Sequence, residues 1–121
     1  MNAPAKAAVL QRGHIYLARL DKLRPVLVVS PNVRNELASD VIVIPCSTPL
    51  SAAPTHVRLR RGEGGVAEAS VLKCEQITTV HKGDVLRQPM GGAISAKLLL
   101  AVERAILRAI GIPVPLEETD E

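Results

Sequence analysis

Apolar residues along this chain come in short runs separated by clusters of Pro, Gly, Asn and Ser, and the spacing of those clusters predicts a rapid succession of short strands. Strands are expected at Ile15 to Leu20, Val26 to Ser30, Val41 to Pro45, His56 to Leu59 and Ser70 to Ile77. Pro25 fixes its own φ and turns Arg24 away from helical backbone, so Val26-Leu27-Val28-Val29 opens as a strand. That run and Val41-Ile42-Val43-Ile44 are apolar at consecutive positions, as expected of strands covered on both faces. Arg60-Arg61-Gly62-Glu63-Gly64-Gly65 reads as a turn or flexible loop. After Gly91-Gly92 the period changes to that of a helix. Ser95 is its cap, Leu98, Leu99, Val102, Ala105, Ile106 and Ala109 form its apolar stripe, and Lys97, Arg104 and Arg108 fall on the other side. Gly111 and Pro113 end it near Ile110. The pattern specifies a mainly β fold with α content, a small antiparallel barrel or strongly curled sheet with a C-terminal helix.

At 121 residues the chain holds one domain. A loosely ordered, Ala-rich arm is expected over residues 1–11, the folded domain over 12–112 and an acidic tail over 113–121. The core must be aliphatic, since the chain has one Tyr and neither Phe nor Trp. A single-strand binder built on stacked aromatics is thereby excluded, because Tyr16 alone cannot make a platform. The net charge of +3 hides an asymmetry: four of the twelve acidic residues lie in Glu117 to Glu121, leaving residues 1–116 with fifteen basic and eight acidic side chains, a net of +7. Such a body attracts polyanions, or is simply a basic, soluble surface. Cys46 and Cys74 sit inside apolar strand-like runs with no export signal or membrane-length segment before them, so a reducing, cytoplasmic setting is expected.

Several residues can carry chemistry. Arg24, at the start of a strand, presents a guanidinium suited to a phosphate. Ile44-Pro45-Cys46-Ser47-Thr48-Pro49 places two hydroxyls where a buried strand ends, an arrangement that serves phosphoryl chemistry beside an arginine and is equally an ordinary strand-terminating turn. His56 at a strand start can orient a loop or titrate near neutrality, and is as readily structural. No metal-ligand spacing joins His14, His56, His81, Cys46 and Cys74, so no metal site is expected. No glycine-rich phosphate loop follows a strand and opens a helix, and nothing pairs Glu75 with Asp84 as glycoside hydrolysis requires.

Taken in order, the Arg12-Gly13 start, Arg24-Pro25-Val26-Leu27-Val28-Val29-Ser30, Val41 to Thr48, Pro54-Thr55-His56-Val57 and Glu75-Gln76-Ile77-Thr78-Thr79-Val80 resemble the MazF/PemK family of toxin endoribonucleases over about residues 12 to 110. The resemblance implies an SH3-like antiparallel barrel of the CcdB/MazF type with a C-terminal helix, a cytoplasmic homodimer, and the toxin role in a type II toxin-antitoxin system. It further implies cofactor-free, metal-independent and sequence-selective cleavage of single-stranded RNA, mRNA included, to 2′,3′-cyclic phosphate and 5′-hydroxyl ends. The implied partners are RNA and a cognate antitoxin, with operator DNA reached through the antitoxin and no membrane. Arg24 falls on the family's catalytic arginine and Ser47 on the position usually held by its catalytic threonine, with Thr48 beside it. His14, Tyr16, His56, Arg58, Glu75, Gln76 and Thr78 are the expected RNA contacts. Four positions depart from the pattern: the Asp21-Lys22-Leu23 linker is short, His14 replaces an acid, Thr78 an arginine and Ser47 the threonine. They motivate an alternative, a weak or inactive relative that binds antitoxin or operator DNA. A gyrase poison of the CcdB kind depends on a C-terminal Trp, which this chain lacks. The acidic tail is either a disordered solubilising segment or a strap over the basic body.

Overall fold

The computed structural model describes residues 9–115, which form an antiparallel six-stranded sheet and two helices. In chain order these are β1 (Ile15–Arg19), β2 (Leu23–Val28), α1 (Asn32–Leu37), β3 (Asp40–Ser47), β4 (His56–Leu59), β5 (Ser70–Lys73), β6 (Thr78–His81) and α2 (Ala96–Ala109). The strand path runs β1-β2-β3-β5-β4, with β6 also paired to β3. This is the expected mainly β architecture with its C-terminal helix, although the six-strand ladder itself does not close. A single bridge between Ala18 and Val85, with the Leu86 amide donating to the Leu17 carbonyl at 2.9 Å, brings the chain after β6 back to β1.

The shape turns on β3, which changes partner along one edge. Asp40 to Val43 pair with β6, whereas Cys46 and Ser47 pair with β5. Ile44 and Pro45 fall in the gap, and a proline, which has no amide hydrogen to give, fits such a position inside a strand. The expected continuous strand from Ser70 to Ile77 is therefore two strands. A 3-10 turn at Cys74–Gln76 bends the chain so that β5 serves one end of β3 and β6 the other. The alternative partners require that corner, which hydrophobic alternation alone does not reveal. β2 also starts earlier than expected, at Leu23, so Arg24 and Pro25 lie inside it; the β2–β3 ladder begins at Val26, one residue past the proline.

Because successive side chains on a strand point to opposite faces, the sheet separates two aliphatic clusters. Leu27, Ile44, Cys46, Val57, Leu59 and Leu72 pack beneath Val102 and Ala105 of α2. Tyr16, Ala18, Val26, Val28, Val41, Val43 and Val80 fill the other side, with Leu10. The two apolar runs are thus covered on both faces, as their sequence implies. α2 is capped as predicted: the Leu98 amide donates to the Ser95 hydroxyl at 3.1 Å. At its other end Gly111 adopts φ +82°, with Ile112 donating to the Leu107 carbonyl and Gly111 to that of Arg108.

α1 has no counterpart among the expected elements. Its six residues bury only Asn35, too few for a helical stripe. Asn35 is fully buried and donates to the carbonyls of Leu10 and Ser30, each at 2.9 Å, while Ser30 bonds Asn35 and receives the Ile42 amide. The inner end of the arm expected over residues 1–11 is consequently held: Leu10 is buried and the Gln11 amide donates to the Tyr16 hydroxyl at 2.8 Å. Arg12 then ties this segment to the Val29 carbonyl and to Glu103 on α2. The remainder of the arm and the acidic residues 117–121 lie outside the described residues.

Candidate functional site

Arg24 sits in β2 opposite Ala18 of β1. The β2–β3 ladder ends with Val26 opposite Pro45, and Arg24 and Ser47 each lie two residues beyond that pair on their strands. The residues opposite one another share a face, so Arg24 and Ser47 stand on the same side as Val26 and Pro45, away from α2. The same alternation places other expected site residues on that face. Ser47 pairs with Val71, and Val71 with Arg58; His56 pairs with Lys73; Thr78 lies opposite Val43. Two sites far apart in sequence, the start of β2 and the end of β3, are thus brought to one rim of the sheet.

The guanidinium of Arg24 has a partner that the spacing of the chain places next to it. Nε and Nη2 donate to the two carboxylate oxygens of Asp21 at 2.7 and 2.8 Å. This hydrogen-bonded pairing holds the Asp21 carboxyl well below the usual carboxylate range and raises Arg24 further above neutrality. Both side chains are exposed, Arg24 at 40% and Asp21 at 67%, so the pair is solvated and readily exchanged for another anion. Its side-on geometry is that by which an arginine takes two oxygens of a phosphate.

A second network organises the loop that leaves Ser47. Ser51 lies 3.1 Å from Nδ1 of His56, whose Nε2 lies 3.1 Å from one oxygen of Glu75, and Thr55 donates to the other oxygen at 2.9 Å. Glu75 sits on the 3-10 turn at the β5–β6 corner, and the Cys74 amide there donates to the Thr55 carbonyl. Burial works to raise the Glu75 carboxyl, yet its own backbone amide, His56 and Thr55 together hold it lower than an ordinary glutamate. With Glu75 ionised, Nε2 donates to its carboxylate while Nδ1 meets Ser51, so the ring bridges the β3–β4 loop to the β5–β6 corner.

The other expected residues divide. Thr48, Arg58, Glu75, Gln76 and Thr78 are exposed and Ser47 is partly buried. Tyr16 is a core residue, 1% exposed with its hydroxyl accepting from Gln11, so the expectation that it contacts RNA is corrected: its ring is spent on the cluster beneath β1 and β2. His14 is half-buried beside it, with ring centroids 6.5 Å apart and its Nδ1 lacking a hydrogen-bond partner among the described residues. Cys46 and Cys74 are buried, and burial pushes both thiols up to about 12, which makes them inert. Among the described residues no three His, Cys, Asp or Glu side chains gather as a metal site would require, and no helix is long and apolar enough to cross a membrane. Asp21 and Ser51 were not legible as site residues. The three-residue spacing of Asp21 and Arg24 carries a signal for the first, whereas the second depends on a loop closing back on its strand.

Residues 11–110 match the family of PemK-like, MazF-like toxins of type II toxin-antitoxin systems. The chain is 32% identical over 97 residues to endoribonuclease MazF3 of Mycobacterium tuberculosis, covering 80% of this chain and 87% of that protein. It is 28% identical over 114 residues to endoribonuclease MazF of Staphylococcus saprophyticus, covering 86% and 93%. Among solved structures it superposes on the Mycobacterium tuberculosis toxin MazF-mt6 with a TM-score of 0.76 and 28% identity, over 84% of this chain and 99% of that one. A mycobacterial endoribonuclease solved in complex with its cognate antitoxin has the same fold, with a TM-score of 0.76 at 24% identity, over 88% and 99%.

Proposed function

Since the chain belongs to the PemK-like, MazF-like toxins of type II toxin-antitoxin systems, we propose that it is a cytoplasmic endoribonuclease that cleaves single-stranded RNA without a metal. The observation that supports this reading is the β2–β3 ladder, whose last pair, Val26 with Pro45, leaves Arg24 and Ser47 two residues beyond it on neighbouring strands. The 2′-hydroxyl gives its proton to solvent as its oxygen attacks the adjacent phosphorus, the P–O5′ bond breaks, and the leaving 5′-oxygen takes a proton from the Arg24 guanidinium, which solvent then restores. The products are a 2′,3′-cyclic phosphate and a 5′-hydroxyl. Arg24 exchanges Asp21 for the phosphate, stabilises charge on the non-bridging oxygens and donates toward the leaving oxygen. Ser47 donates its hydroxyl to the same phosphate, with Thr48 next in reach along the loop. A guanidinium and a neutral hydroxyl suffice for this charge development, so no Lewis acid is called for.

His56 and Glu75 act by holding the loop that follows Ser47, and with His14, Arg58, Gln76 and Thr78 they border the path of the RNA. The toxin works as a homodimer and is silenced by a cognate antitoxin that covers the same basic rim. One observation favours a binding-only protein: Asp21 already occupies the proposed catalytic arginine. Its exposure answers that objection, because a solvated pair is worth little and yields to a phosphodiester that offers two oxygens to the same donors. Mapping the ends of products from a long RNA tests the reading. Fragments whose 5′ ends accept phosphate directly from polynucleotide kinase, produced by wild type and by Ser47→Thr, with Ser47→Ala slowed about 100-fold or more, are the expected result. Fragments with 5′-phosphate ends would overturn it.

A further inference from the structure

A cleft of about 380 Å³ opens between the edge strand β4 and the first turns of α2. That volume lies at the small end of ligand-sized clefts, about 300–1,000 Å³. Arg58 and Arg60 line it from β4 and the residue after it, and Lys97 from α2, with Glu63 as its one carboxylate. Leu98 and Ala101 supply an apolar floor. Glu63 is already engaged: it accepts the Arg60 amide at 2.6 Å and lies 3.5 Å from the Arg60 guanidinium. The backbone bond holds its carboxyl below the ordinary range. Arg60 and Lys97 against one occupied carboxylate leave the cleft positively charged.

Its position matters as much as its charge. Arg58 is opposite Val71, which is opposite Ser47, so the cleft begins two strand spacings, about 10 Å, from the proposed cutting site. Arg58 belongs to the outermost strand and borders both: it lines the cleft, while strand alternation turns its side chain toward the rim that holds Ser47, on the face opposite Val57 and Leu59. From Ser47 the ladder leads to Arg58 on the rim, and across the β4 edge lie Arg60 and Lys97. The chain's single aromatic residue is buried in the core, so the cleft offers no stacking platform and selects for backbone rather than bases.

Resting on the endoribonuclease reading, we propose that the β4–α2 cleft is a backbone subsite for single-stranded RNA, in which Arg60 and Lys97 hold phosphates a short distance from the one that is cut, with the chain crossing the β4 edge past Arg58. The subsite supplies affinity and salt dependence without choosing sequence. Its test is the double variant Arg60→Ala/Lys97→Ala, two exposed positions outside the catalytic rim. A fluorescein-labelled 2′-O-methyl oligouridylate, which has no free 2′-hydroxyl to attack, serves as the binding probe. Wild type is expected to bind it at low salt, and the double variant to bind roughly tenfold or more weakly. The slope of log K against log salt should become shallower by about 1.4, two phosphates at about 0.7 each for single strands. On cleavable RNA, the variant should show a raised KM with kcat and cleavage positions unchanged. An unchanged Kd and slope, a wild type that does not bind the probe, or altered cleavage positions would each overturn the subsite. A variant that loses probe affinity while wild type cuts no RNA would leave the subsite standing and remove the endoribonuclease reading instead.

Discussion

At the scale of single residues the site is a question of who holds Arg24. A carboxylate three residues earlier takes the two donors that a phosphate would take. Asp21→Asn should tighten binding of an uncleavable RNA a few-fold, because the competing anion is gone while the guanidinium stays on its strand. Equal or weaker binding would mean that Asp21 orients the arginine rather than competing for it. Glu75 gives a second prediction. Its carboxyl titrates below the ordinary glutamate value of 4.5, so its bonds to Thr55 and His56 stabilise the fold above that pH and are lost as pH falls below it. In Glu75→Gln the loss of stability on acidification should be shallower than in wild type, as read from urea midpoints across the acidic range. Arg24 drew notice in the sequence because a proline fixes its surroundings, Ser47 was singled out only by the family resemblance because a strand-end hydroxyl is also an ordinary turn, and Tyr16 misled because a lone aromatic says nothing of which face its strand buries.

Among the elements, strands and α2 were legible where an apolar period is long enough to speak, and the corner between β5 and β6 was not, because it exists to satisfy two different stretches of β3. α1 escaped for a related reason: a buried polar network, not an apolar face, holds it. That network makes Asn35→Ala costly, about 2–3 kcal/mol, since the carbonyls of Leu10 and Ser30 lose their donors inside the protein. Chemical denaturation should show a lowered midpoint with little change in slope. A similar dependence on packing governs the turn before β5. Gly65 has φ +92°, and a Cβ there would come within 2.3 Å of the Met90 carbonyl oxygen. Gly65→Ala should cost at least about 2 kcal/mol, a drop of roughly 8 °C or more in Tm. A drop under a couple of degrees would show that the 90–91 segment moves aside freely.

For the whole molecule, the curled sheet does two jobs. One face and α2 enclose an aliphatic core, and the rim of the opposite face gathers Arg24, Ser47, His56 and Arg58 from strands far apart in sequence. The basic excess, net +7 over residues 1–116, gives this part of the chain a charge that favours a polyanion. The acidic residues 117–121 bear on the same field: if they strap over the rim, their deletion should raise RNA affinity at low salt, and if they only solubilise, affinity should not change. The central claim concerns the rim itself. The most direct measurement is incubation of wild type and Arg24→Ala with a long single-stranded RNA in EDTA, with circular dichroism confirming that both are folded. The account predicts discrete cuts by wild type and their loss in Arg24→Ala at equal stability; a folded wild type that leaves several RNAs intact, or an Arg24→Ala protein that cuts as well as wild type, would contradict it.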